Sequence, residues 1–187
     1  MTYVFLANGF EIIEAMIPVD VLRRAGEEVI TVSINATKEV VSSNGVTVIA
    51  DTLFTENDYK TADLLLLPGG MPGAENLSNH SALCQELTER NQKGGLIAAI
   101  CASPAVVLSK LGILKDKKAT CYPGFETQLS DANYRPELVV TDQNIVTGEG
   151  PAAAFPFAFA LAQKLKGNAT TSAVEEGMRY KHLMEEK

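Results

Sequence analysis

The sequence predicts a three-layer α/β protein, in which helices cover both faces of a doubly wound, mostly parallel sheet. Three observations carry this. Short apolar runs alternate with stretches of helical character along the chain. Two of those runs, 64–67 and 96–100, are apolar at every position, as a central strand covered on both faces must be. Glycines gather at the ends of several strands, where a chain leaving a sheet edge turns back toward a helix.

The elements follow in order. Tyr3-Val4-Phe5-Leu6-Ala7 opens as a strand and stops at Asn8-Gly9. Residues 11–25 run as a helix closed by Gly26, a suitable residue just past a helix end. Residues 28–34 return to strand through Val29, Ile30 and Val32. Residues 38–50 read as a hairpin about Ser43-Asn44-Gly45, a turn sequence that favours tight reversal. Then come the strand 64–67, a polar-faced helix over 79–93 closed by Gly94-Gly95, and the strand 96–100. A helix follows Cys101 as far as residue 110, residues 138–141 and 144–147 are short strands, and a helix starts at Pro151 and reaches about 166. The expected organisation is one domain over 1–187, with 168–187 as an extension. That extension reads equally as a loose tail or as a terminal helix carrying Val174, Met178 and Tyr180.

A chain of 187 residues with 46% hydrophobic and 21% charged content buries enough surface to need neither disulfide nor metal for a core. No stretch approaches the ~20 apolar residues of a membrane span. The N-terminus reads straight into a strand without a signal peptide, so a cytoplasmic location is expected. A formal net charge of −7, with no basic run, argues against nucleic acid and anionic membrane surfaces as partners. Small molecules or proteins remain. Cys84, Cys101 and Cys121 match no zinc spacing, and a reducing compartment keeps them as free thiols. No metal and no cofactor is implied.

Ligands of open parallel sheets sit beyond the carboxyl ends of the strands. Four such ends carry unusual residues: Ala7-Asn8-Gly9 leading to Glu14, Pro68-Gly69-Gly70, Ile100-Cys101-Ala102, and Gly148-Glu149-Gly150-Pro151. Cys101 stands between a buried strand and Ala102-Ser103-Pro104, a composition suited to a sharp elbow that lifts the side chain into the crevice. The following helix would aim its N-terminus at the sulfur and favour the reactive thiolate. An inert buried thiol is the competing reading. Glu14 lies in a helix apolar around most of its circumference, so its carboxyl must be exposed, paired or protonated. Pro18 lacks an N–H for the carbonyl of residue 14 and should distort the helix there. A Glu facing a thiolate would be held protonated and donate a hydrogen bond to sulfur. Glu11 caps the helix or faces solvent. Strand alternation sends Cys121 and Tyr122 to opposite faces, with Tyr122 assigned to the crevice and Cys121 to the interior; a resolving-cysteine role for Cys121 is the minor alternative. Cys84 is packed or half-exposed, and His80 and His182 read as solvated.

These residues resemble a known family over nearly the whole chain. The segment from Ala7 to Glu14, followed by Ile17-Pro18-Val19-Asp20 and on to Gly26, is similar to the first helix of the ThiJ/PfpI superfamily. Leu66-Leu67-Pro68-Gly69-Gly70, Ala98-Ala99-Ile100-Cys101-Ala102-Ser103-Pro104 and Gly148-Glu149-Gly150-Pro151-Ala152 resemble its glycine loop, its cysteine elbow and the start of its last helix. The branch resembled is that of the parkinsonism-associated protein and its bacterial relatives. The resemblance implies a flavodoxin-like fold, related to class I glutamine amidotransferases, and a homodimer through helix 11–25 and neighbouring strands. It implies that Glu14 hydrogen-bonds Cys101 and that the N–H groups of Gly70 and Ala102, beside Gly69, form an oxyanion pocket. Cys101 would oxidise readily to a sulfinate under peroxide. The activity implied is that of a redox-responsive cysteine protein, with cofactor-free glyoxalase or deglycase chemistry on methylglyoxal or glycated groups. An amidase or protease, and a non-enzymatic chaperone, are the alternatives; the superfamily's protease and thiazole-biosynthesis labels are inherited names, not evidence of activity. Many relatives place a histidine where this chain has Cys121-Tyr122-Pro123. Tyrosine is a weak base at neutral pH, so a Cys–His hydrolase is unsupported, and the sequence offers only Tyr122, Glu14 or Glu126 as a base.

Overall fold

A computed structural model describes residues 1–185. In chain order it contains β1 (Thr2–Leu6), α1 (Ile12–Arg24), β2 (Val29–Ser33), β3 (Glu39–Val41), β4 (Thr47–Ile49) and β5 (Thr52–Leu53). Then come β6 (Leu64–Leu67), α2 (Gly73–Asn79), α3 (Ser81–Gln92), β7 (Leu96–Ile100) and a π-helical segment, Pro104–Ser109. The chain continues through β8 (Lys118–Ala119), β9 (Asn133–Tyr134), β10 (Val139–Asp142), β11 (Ile145–Gly148), α4 (Ala154–Gly177) and α5 (Tyr180–Glu185).

Seven strands form one sheet in the order β10-β11-β7-β6-β1-β2-β5. Every pairing in it is parallel except that of β10 with β11. The uniformly apolar strands sit in the middle because both of their faces are covered. Leu64 and Leu66 of β6 join Ala98 and Ile100 of β7 in one core with α1 and α4. Leu65, Leu67, Ile97 and Ala99 point into the other, with Leu83 and Leu87 of α3. The expected flavodoxin-like, three-layer architecture is the one observed.

Several local expectations are corrected. The helix expected over 79–93 is observed as α3, whereas α2 ahead of it was not expected; between the two stands His80, extended at φ −84° and ψ 94°. It is half-buried rather than solvated: its Nδ1 accepts the Leu83 N–H at 3.1 Å and its ring meets Phe54 at 4.5 Å. The helix α1 runs unbroken through Pro18, so the missing N–H is absorbed without the expected distortion at Glu14. The strands β5, β8 and β9 have two residues each, too few for any periodicity to show. The C-terminal segment is helical through residue 185: α4 breaks at Gly167, where φ is 81° and ψ 170°, then resumes. Val174 is buried there, and Tyr180 packs its ring 4.8 Å from that of Phe159. Residues 186 and 187 of the expected extension lie outside the described residues. No helix among the described residues is long and apolar enough to cross a membrane.

Candidate active site

Sheet order creates the site. From β1 the chain builds outward through β2 on one side, then returns to place β6 and β7 on the other. Loops leaving β1 and β6 therefore diverge and open a crevice between them. Into it α1 brings Glu14, the turn after β6 brings Gly69 and Gly70, and the end of β7 brings Cys101.

Cys101 has φ 66°, a left-handed backbone that a residue with a Cβ adopts at a cost of about 1–3 kcal/mol. The surroundings hold it there. Its N–H donates to the Gly148 carbonyl at 2.9 Å, and its carbonyl accepts the Tyr122 N–H at 2.9 Å. The buried Ser103 hydroxyl donates to the Pro68 carbonyl at 2.6 Å, tying the elbow to the glycine turn. Beyond the elbow the helix expected as far as residue 110 is present as a six-residue π-helical segment, Pro104–Ser109. Stabilisation of negative charge therefore falls to individual amides: the N–H groups of Gly70 and Ala102 both hydrogen-bond the sulfur. Cys101 is 8% exposed, buried at the end of its strand.

Glu14 is fully buried. Its Oε2 accepts the Gly69 N–H at 2.8 Å. Its Oε1 has no conventional hydrogen bond, and the carboxyl pairs with the Cys101 thiol instead. Burial is the main cause that raises the Glu14 carboxyl to about 7, opposed by the bonds from Cys101 and Gly69 and reinforced by the nearby charge of Glu11. Burial, then the adjacent Glu14, pushes the Cys101 thiol up to about 12, against the two amides that favour its anion. Two such close groups titrate as a pair, which gives up one proton near pH 7 and keeps the other far into the alkaline range. Sulfur has two N–H donors and the carboxyl one, a difference that lowers the cost of passing the proton from Cys101 to Glu14 when the thiolate reacts.

The glycines are spatial requirements. A Cβ on Gly69 would lie 2.7 Å from the Cys101 Cβ and 2.8 Å from Glu14 Oε2. Gly70 has φ 88°, and a Cβ there would meet the Glu11 nitrogen at 2.4 Å.

The remaining sequence candidates divide clearly. Tyr122 is 44% exposed, with its ring so close over Gly150 that a Cβ there would lie 2.9 Å from it. Cys121 is sealed in the opposite core. Cys84 is half-buried, with its thiol donating to the Ser78 carbonyl at 3.3 Å. Glu126 accepts the Gly124 N–H at 2.8 Å, which holds its carboxyl below the usual range. His182 lies on α5. Sequence reading missed Ser103 and the Gly148 carbonyl, whose roles appear only once the elbow is folded. It left Glu11 open between cap and solvent; Glu11 is buried and caps α1, its Oε2 accepting the Glu14 N–H at 3.0 Å. Among the described residues, no three His, Cys, Asp or Glu side chains are grouped so as to hold a metal.

Comparison with known proteins adds three likenesses and a family. A model of the DJ-1/PfpI family matches residues 2–164. Protein DJ-1 homolog B of Arabidopsis thaliana is 37% identical over 162 residues, which are 87% of this chain but only 37% of that longer protein. Glutathione-independent glyoxalase DJR-1.2 of Caenorhabditis elegans is 31% identical over 166 residues, covering 88% of this chain and 87% of that one. The solved structure of oxidized Toxoplasma gondii DJ-1 superposes with a TM-score of 0.90 at 39% identity, over 95% of this chain and 96% of that one.

Proposed function

The chain belongs to the DJ-1/PfpI family, and from that premise we propose that it is a cofactor-free glyoxalase acting on a small 2-oxoaldehyde such as methylglyoxal. The observation that carries the reading is the buried Glu14 carboxyl, raised to about 7 and paired with the sulfur of Cys101. A group with that acidity can both give and take a proton near neutral pH. The Cys101 thiolate adds to the aldehyde carbon, and Glu14 protonates the resulting alkoxide to give a hemithioacetal. Glu14, now a carboxylate, removes the hydrogen from that carbon as a proton and returns it to the neighbouring carbonyl carbon through an enediol. The product is a thioester of a 2-hydroxy acid, which water cleaves to release acid and thiol. Oxoaldehyde plus water becomes hydroxy acid, with no net electron gained or lost. In this reading the Gly70 and Ala102 amides, which favour the Cys101 anion, would also stabilise an oxyanion formed beside the sulfur. Support from outside the chain is the glyoxalase name of the worm relative. Glycated groups, which carry the same carbonyl chemistry, are the second substrate class.

The test is conversion of methylglyoxal to lactate by wild type, Cys101→Ala, Glu14→Gln and Tyr122→His. Turnover in wild type that disappears in the first two variants is expected. Folded wild type without turnover sinks the reading, and activity gained only in Tyr122→His would mark a protein specialised away from this chemistry.

A redox role is favoured by a separate observation: among the three thiols, the sulfur of Cys101 receives two backbone N–H bonds. Peroxide would oxidise the thiolate to a sulfenate with release of water, and a second peroxide would give the sulfinate and another water. Two oxygens found on the Cys101 peptide before Cys84 or Cys121 reacts is the expected mass-spectrometric result; the reverse order refutes it. The reading includes a homodimer through α1 and the β3–β4 hairpin, where Ile13, Val41, Val46 and Ile49 are exposed beside the Phe10–Ser42 bridge. Sedimentation as a monomer at micromolar concentration would exclude it.

A further inference from the structure

We infer that Glu11 is a positioning residue for the acid–thiol pair: it holds Glu14 in place and orients the Gly70 amide toward Cys101. The inference rests on Glu14 acting as the acid partner of Cys101.

Glu11 does two things with two different groups. Its side-chain Oε2 accepts the Glu14 N–H at 3.0 Å, which fixes the first turn of α1 and the direction of the Glu14 side chain. Its main-chain N–H donates to the Gly69 carbonyl at 2.8 Å. The peptide between Gly69 and Gly70 is trans, so its C=O and N–H point in opposite directions. Holding the carbonyl against Glu11 therefore turns the Gly70 N–H the other way, where it bonds the Cys101 sulfur. One residue thus sets both the acid and one of the amides that stabilise the anion.

The residue type supports a role beyond capping. Ser, Asn and Asp are the favoured caps, and any of them would satisfy the Glu14 N–H. Glu is not among them. A carboxylate here is 9% exposed and one helical turn from a second, fully buried carboxyl, an arrangement of like charges that a cap alone does not require. Repulsion across that turn adds to burial in keeping the Glu14 proton on. The titratable groups facing Glu14 are Cys101 from the elbow and Glu11 from its own cap. The α4 helix packed on α1 contributes Ala154, Phe157, Ala158 and Leu161 to the shared core, and its Lys166 is committed to Glu27 at 2.7 Å.

The test is the pH profile of Cys101 alkylation by iodoacetamide from pH 5 to 10, followed on the Cys101 peptide by mass spectrometry. Wild type, Glu11→Gln, Glu11→Asp and Glu14→Gln are compared. Glu11→Gln keeps an oxygen for the Glu14 N–H but removes the charge, so Glu14 releases its proton more easily and less of the pair carries a thiolate. Its profile should have a midpoint at lower pH and a neutral-pH rate reduced about fivefold. Glu11→Asp keeps both cap and charge and should hold the wild-type midpoint. A Glu11→Gln profile superimposable on wild type, or a Glu11→Asp profile that loses the wild-type midpoint, overturns the inference, and the Asp arm decides it even if the Gln variant does not fold. Glu14→Gln separates the two levels: if it leaves the profile unchanged, the acid–thiol pair itself fails, whereas a response to Glu14→Gln without one to Glu11→Gln removes only the role of Glu11.

Discussion

Cys101 and Cys121 are joined through a single hydrogen bond, from the N–H of Tyr122 to the Cys101 carbonyl at 2.9 Å, and they have opposite fates. Burial pushes both thiols up to about 12. Cys121 points into an apolar cluster with Leu65, Ala99 and Leu129, and the nearby charges of Glu126 and Glu149 disfavour its anion further. Cys101 points into a crevice with a protonatable carboxyl and two N–H donors at its sulfur. A thiol difficult to ionise into water can still pass its proton to a neighbouring carboxyl whose own acidity has been brought near neutrality. Reactivity is thus decided by the partner rather than by burial.

Removing the nucleophile gives the largest contrast. Cys101→Ala should lower methylglyoxal turnover at least about 1,000-fold with the fold intact by circular dichroism, while Cys121→Ser changes turnover less than about twofold. Forcing the pair apart comes next. Gly69→Ala drives a methyl group between the Cys101 Cβ and Glu14 Oε2, at 2.7 and 2.8 Å, and should slow Cys101 alkylation about tenfold or more while costing about 1–3 kcal/mol in urea unfolding.

The third contrast is in pH. Glu14 titrates at about 7 when folded against 4.5 as a reference. Its folded value is raised, so between these two pH values the unfolded chain has released a proton that the folded one retains. Stability from this group therefore falls as pH rises from about 4.5 to about 7 and stays reduced above that, by on the order of 3 kcal/mol. Glu14→Gln should abolish this fall, so its stability relative to wild type should be greater at pH 8 than at pH 5. A wild type whose pH dependence is unchanged by the substitution would show that the carboxyl is not held protonated. The smallest effect belongs to Cys121→Ser. It places a hydroxyl in a fully buried apolar site and should cost about 1–3 kcal/mol without altering Cys101 alkylation.

Much of the fold was legible in the chain because its signals are local. Two uniformly apolar runs, 64–67 and 96–100, mark central strands wherever they occur, and Cys101 before Ala-Ser-Pro marks an elbow. Two-residue strands carry no such signal, and the half-buried place of His80 comes from its ring docking against Phe54, a contact between residues far apart in sequence. The unbroken course of α1 through Pro18 likewise reflects a helix held by its packing against α4 rather than by one lost hydrogen bond.

The amino-acid sequence by itself determined which residues stand at the strand ends: an acid after the first, two glycines after Pro68, a cysteine after Ile100. It also determined the apolar helix in which that acid had to be buried or paired. Only the tertiary structure decided where the protons go. Glu14 meets the Gly69 amide across 55 positions of chain, and the desolvation that keeps it protonated exists only when α1, β6 and β7 are assembled around it. Strand propensity is a property of neighbours in sequence; the acidity of a buried carboxyl is a property of everything that has replaced water around it.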